Sequence, residues 1–133
     1  MKKIHVISIV TLIGIVLAVW IPSLPSKDNI GKFQIQEATS LLKKLSVEVE
    51  MFHEEYNHTP NVNELVGLET SGEYVASLSG SNPYFANIKS EAVYEGIAGK
   101  SLGWKYDPES GIWEKCSAGS VPLHFRSIEC RRR

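Results

Sequence analysis

Cysteine is scarce in this sequence: there are two, Cys116 and Cys130, and no Cys-x-x-Cys pair or Cys/His quartet accompanies them. That absence excludes the usual zinc frameworks, whose ligands come in fours at short spacings. A basic excess is missing as well. Among 133 residues, 14 Lys and Arg face 15 Asp and Glu, a net charge of −1, and without Lys2 and Lys3 the balance is 12 against 15. A sequence-reading nucleic-acid binder normally carries a strong positive surplus, so nucleic acid is not an expected partner. There is no internal repeat, no low-complexity tract and no phosphate-cradling glycine loop. His53-Glu54-Glu55-Tyr56-Asn57-His58 comes near the metalloprotease pattern but fails by one residue. Histidines five apart stand about 140° apart round a helix and cannot face one metal. The expectation is a protein that is not an enzyme and carries no cofactor or metal.

The sharpest absence is local. From Ile4 to Ile21 there is no Asp, Glu, Lys or Arg, and only His5, Ser8 and Thr11 interrupt the apolar run. As a helix it would span about 27 Å at ~1.5 Å per residue, close to a bilayer core. Lys2 and Lys3 precede it, which predicts an N-terminus inside and everything after Pro22 outside the cytoplasm. A cleaved signal peptide is the rival reading. Its apolar core is usually ~7–15 residues long and ends at a small-x-small site. Ala18-Val19-Trp20-Ile21-Pro22 offers no such site, and Ser23-Leu24-Pro25-Ser26 sets proline beside the candidate bond. A retained anchor is therefore expected. Either reading puts Cys116 and Cys130 in an oxidising compartment, where a disulfide is the natural state and two unpaired thiols the alternative.

The remaining hundred or so residues suit one modest domain. The expected division is an apolar anchor or filament-core helix over 1–27 and a globular domain over 28–133. Pro22 and Pro25 should end or kink the first helix, and Asp28 and Asn29 are plausible N-caps of a second. Ile30, Phe33, Ala38, Leu41, Leu42, Leu45, Val49, Phe52 and Tyr56 recur at helical spacing, and Lys44 could pair with Glu48. Thr59-Pro60 should stop the helix near Asn57. Strand-like runs follow at Tyr74–Ser79, Phe85–Lys89, Ala92–Ala98, Ser101–Tyr106 and Gly111–Lys115, separated by turn signals. The predicted class is α+β. A long N-terminal helix, apolar in its first half and amphipathic in its second, packs on an antiparallel β-meander with a C-terminal disulfide loop.

This order of parts resembles the type IV pilins. Ile9-Val10-Thr11-Leu12-Ile13-Gly14-Ile15-Val16-Leu17-Ala18 followed by Ile21-Pro22 is similar to the second half of the pilin N-terminal motif. Gln36-Glu37-Ala38 resembles the following helical segment, and Gly72-Glu73-Tyr74-Val75-Ala76-Ser77 the first strand. Trp113, Cys116 and Cys130 resemble the cysteine-bracketed C-terminal loop. Two features depart from the family: no glycine precedes the apolar run, and His5 stands where pilins carry a glutamate. An imidazole supplies no negative charge at any pH. What the resemblance implies is a minor or divergent fimbrial subunit, held in the bacterial inner membrane with a periplasmic domain or built into an extracellular fimbrium. Its helix, including Ile4, Gly14 and Pro22, would contact the membrane and other pilin subunits. The alternative is a non-polymerising, membrane-anchored or secreted periplasmic binding module with the same fold.

Within the domain, Tyr84, Trp104, Tyr106 and Trp113 could form a binding surface, although at strand spacing they read first as core. Arg126 and Arg131-Arg132-Arg133 form a basic cluster, either a solvated tail or a contact for acidic glycans, anionic lipid or DNA. In the loop Ser117–Glu129, Val121, Leu123, Phe125 and Arg126 are the candidate adhesion residues for a host or surface receptor. A stapled loop binds at low ordering cost if it exposes its apolar groups, but it could equally pack on its own sheet.

Overall fold

The computed structural model describes residues 27–131. The expected apolar helix with Ile4, Gly14 and Pro22 lies outside the described residues, as do Arg132 and Arg133. Helix α1 runs Lys27–Tyr56. Asp28 and Asn29 therefore sit within the helix rather than capping it, because Lys27 before them is already helical. The far end falls where the sequence places it. Asn57 takes φ 60° and donates its N–H to His53 O at 2.8 Å, a left-handed stop that asparagine tolerates.

From Ala38 through Leu41, Leu42, Leu45 and Val49 the buried face is the expected stripe. Each fully buried Leu contributes about 1.5–3 kcal/mol. Nearer the N-terminus the face turns. Ile30 and Phe33, expected inside, are 41% and 63% exposed, and Gly31, Gln34 and Ile35 are buried instead. The cause is close packing: a Cβ on Gly31 would lie 2.6 Å from Phe125 and 2.7 Å from Tyr94. Two rings occupy the place a side chain would need, so the residue without one faces inward. Phe33 flanks Tyr74 edge-on, with ring centres 6.5 Å apart. Tyr56, also expected inside, is exposed at the helix end. Lys44 pairs with Glu69 at 3.0 Å rather than with Glu48, and both partners are exposed, so the pair contributes little.

Two polar side chains dock α1 to the rest. Glu37 accepts from three consecutive amides at the entry to the sheet: Glu73 N at 3.1 Å, Tyr74 N at 2.8 Å and Val75 N at 2.9 Å. Gln34, buried, accepts from Tyr94 N at 2.8 Å. Loss of Glu37 leaves those three amides without their acceptor. Glu37→Ala is expected to cost about 2 kcal/mol in urea unfolding, and a loss under ~0.5 kcal/mol would mean that water replaces the carboxylate.

Four strands follow: β1 Val75–Gly80, β2 Tyr84–Ile88, β3 Ser101–Asp107 and β4 Ile112–Glu114. They pair antiparallel in the order β1-β2-β3-β4, the expected meander packed on the long helix. The class is α+β, as the sequence predicts. The register of β1 shifts between Val75 and Ser77, so Ala76 and Ser77 both face solvent while Val75 and Leu78 are buried. Asn82 lends its side chain to the sheet, donating to Tyr106 O and accepting from Tyr106 N, both at 2.8 Å.

The run Ala92–Ala98 is not a strand. Ala92 takes φ 61°, Tyr94 O accepts from both Ile97 N and Ala98 N at 3.1 Å, and Tyr94 N is spent on Gln34. Its backbone groups are thus satisfied by local turns and by the helix, which leaves no ladder to make. Ile97 is fully buried, which anchors this loop in the core.

The aromatics are core, as strand spacing suggests. Tyr84, Trp104 and Tyr106 are buried, and Trp113 stacks on Tyr106 with centroids 4.7 Å apart while donating Nε1–H to Glu50 at 3.1 Å. Tyr84 donates its hydroxyl to Pro60 O at 2.7 Å, and burial pushes its phenol up to about 12.

Candidate functional site

After β4 the chain turns at residues 115–117 and returns to the same edge of β3. Glu114 shapes that turn by accepting from Cys116 N at 2.7 Å, from Ser117 N at 3.1 Å and from the Ser117 hydroxyl. The returning segment pairs with the first half of β3. Gly103 N donates to Ala118 O, and Ser101 O accepts from Ser120 N and Val121 N. Lys105 faces Glu114 whereas Leu102 bridges Gly119, so the antiparallel register slips by two residues across the turn. Gly119 makes the approach feasible. It has φ +93°, and a Cβ there would meet Ser101 O at 2.4 Å.

The loop is closed twice. Cys116 and Cys130 form a disulfide across 14 positions, with Cys130 fully buried in the short helix α2, Ile128–Arg131. The second closure is Arg126. Its Nε donates to Val121 O at 2.9 Å, and Nη1 donates to Cys116 O and Ala118 O, each at 2.8 Å, and to Lys115 O at 3.5 Å. Nη2 donates to Gly119 O at 3.1 Å. A planar guanidinium with donors in fixed directions suits such a ring of carbonyls, which an ammonium could not serve. Burial lowers the Arg126 pKa from the ordinary arginine value, while the Glu114 carboxylate acts in the opposite direction.

This geometry revises the candidate adhesion residues. Val121 and Phe125 are 2% and 5% exposed and belong to the core cluster, and Arg126 is spent inside the loop rather than in a surface basic cluster. Leu123, in a single 3-10 turn over Leu123–Phe125, is 44% exposed and remains at the surface. The apolar residues face inward because Phe125 seats against Gly31 and Tyr94, where α1 leaves a gap for a ring. Glu37, Gln34 and Glu114 were not among the sequence candidates. A polar residue at an inward helical position, as Gln34 is, was the available signal.

His53 and His58 stand apart in role as well as in phase. His53 lies edge-on to Tyr106, while His58 packs on Phe52 and its Nδ1 donates to Tyr56 O at 3.1 Å. Among the described residues no group of His, Cys, Asp and Glu is placed to hold a metal ion. No described helix is long and apolar enough to cross a membrane. Between α1 and the C-terminal segment runs a groove whose larger part has a volume of about 490 Å³, walled by Lys32, Gln36, Thr39 and Lys43 on one side and by Phe125 and Ser127 on the other. No protein-family model matches the chain, and no curated protein matches it.

Proposed function

We propose that the chain is a pilin-like structural subunit, a minor component of a type IV fimbria that contributes to filament structure and surface adhesion. The observation that carries this reading is the order of parts within residues 27–131. A 30-residue helix is packed on a four-stranded antiparallel meander, and a disulfide-closed segment is sewn onto the last edge of the sheet. The uncharged run from Ile4 to Ile21 precedes it and, as a helix, would be long enough to sit in a bilayer or pack among like helices. Assembly then proceeds through that helix, with the inner membrane as the reservoir and the domain displayed outward. Doubly closed as it is, the C-terminal loop is a rigid surface element, and the exposed Leu123 is its apolar contact.

Intact mass spectrometry on protein taken separately from sheared filaments and from membranes tests the proposal. Full-length protein in the filament fraction is the expected result, and it would show that His5 is compatible with packing. Full-length protein confined to membranes, or a form shortened past Pro22, would overturn it in favour of an anchored or secreted periplasmic binding module. His5→Glu should maintain or increase incorporation if the chain polymerises and change nothing if it does not.

A further inference from the structure

Charge is unevenly distributed over the domain. Residues 27–133 hold twelve Lys and Arg against fifteen Asp and Glu, a balance of −3. The groove between α1 and the C-terminal segment runs against that balance. Its two depressions, about 220 and about 490 Å³, share Thr39, Lys43, Arg126 and Ser127 and so are continuous. Five of these twelve cations line it, and among the described lining residues Glu129 is the single acid. Arg126 is committed to carbonyls, which leaves Lys32, Lys43, Lys115 and Arg131 as donors. Among the described residues none of these four lies within ion-pair distance of a carboxylate.

The lining narrows the class of ligand. Lys32 and Lys43 are eleven residues apart on α1, about 16 Å at ~1.5 Å per residue, too far for one small anion to bridge. Gln36, Thr39 and Ser40 lie between them, uncharged and able to hydrogen-bond hydroxyl groups. At the other end Lys115 Nζ lies 4.4 Å from the ring centre of the buried Trp104, which holds this cation at the groove. The apolar lining residues Ile35, Leu102, Trp104 and Phe125 are at most 5% exposed, so no pocket awaits the anchoring side chain of a peptide. We propose that this groove binds an acidic oligosaccharide, whose carboxylate or sulfate groups pair with Lys32, Lys43, Lys115 and Arg131 while its hydroxyls meet the uncharged wall. The site does not depend on whether the chain polymerises.

Calorimetry on the full-length chain in detergent tests this with a heparin oligosaccharide, an oligogalacturonate, a neutral dextran oligomer, a DNA oligonucleotide and a poly-glutamate peptide of similar length. One or both acidic glycans should bind, dextran should not, and binding should weaken as salt is raised. Binding of the heparin fragment alone assigns sulfate as the recognised group, and binding of oligogalacturonate assigns carboxylate. Lys43→Gln with Lys115→Gln should weaken the glycan at least about tenfold, while Lys44→Gln, one position along and off the groove, should stay within about twofold. Lys32→Gln gives a second reading on the helix wall should the double variant fold poorly. Failure of both glycans to bind at low salt, tighter binding of DNA or poly-glutamate, or an equal loss from Lys44→Gln would overturn the proposal.

Discussion

Arg126→Ala is expected to destabilise the domain by about 4 kcal/mol, lowering Tm by roughly 20 °C for a domain near 100 residues. Five carbonyls lose a charged donor at once. The bond to Val121 O is buried, so that oxygen bears its full desolvation penalty, whereas water can replace part of what the other four lose. Ala118, Gly119 and Val121 then lose the side chain that ties them to the end of the 3-10 turn, and hydrogen exchange should quicken at Ser120 N, Val121 N and Gly103 N, whose bonds join this segment to β3, before global unfolding. Arg126→Lys should recover less than half of the loss, because an ammonium keeps the charge without the fork of donors. Urea unfolding of the two variants supplies the comparison. A loss under ~1 kcal/mol for alanine would show that the carbonyls are well hydrated without the guanidinium.

Joint replacement of Cys116 and Cys130 by alanine is expected to cost about 3 kcal/mol, the loop-closure entropy of a segment near 15 residues. The effect arises mainly in the unfolded chain, which loses a constraint, so the unfolding slope in urea should steepen as the midpoint falls. Treating the unaltered protein with a thiol reductant should reproduce the shift, and the alanine variant should not respond to it. Should the two cysteines be unpaired, the reductant would leave the midpoint unmoved. Combining the cysteine and arginine changes should cost less than the sum of the two, since both act on residues 116–130. A segment released by one loses little more when the other is made.

Much of the architecture is legible in local pattern. The stripe from Ala38 to Val49 has helical spacing, and Asn57 before Thr59-Pro60 marks the stop; both are consequences of neighbouring residues. Strands β1 to β3 show the same legibility, since alternation and turn residues bound each within a residue or two. Ala92–Ala98 shows where pattern fails. Its alternation and β-forming residues read as a strand, yet Gln34, sixty residues earlier, takes the Tyr94 amide and Ile97 enters the core. Val121 and Phe125 show the converse. Their apolar character was plain, but whether they faced a partner or their own sheet depended on Gly31, a residue on another element.

The sequence by itself determined the class of fold, the stop of the amphipathic helix and the four strands of the meander, because each follows from periodicity or turn chemistry, while the joining of Cys116 to Cys130, left open beside two free thiols, is shown by the structure. Only the tertiary structure decided what the charges do. Glu37 holds three amides at the entry to β1, Arg126 holds five loop carbonyls, and Lys32, Lys43, Lys115 and Arg131 collect along one groove of an otherwise acidic domain. The physical reason is range. Hydrophobic spacing is set within a turn or two of chain, whereas the partner of a charged side chain is set by which distant backbone the fold brings to it.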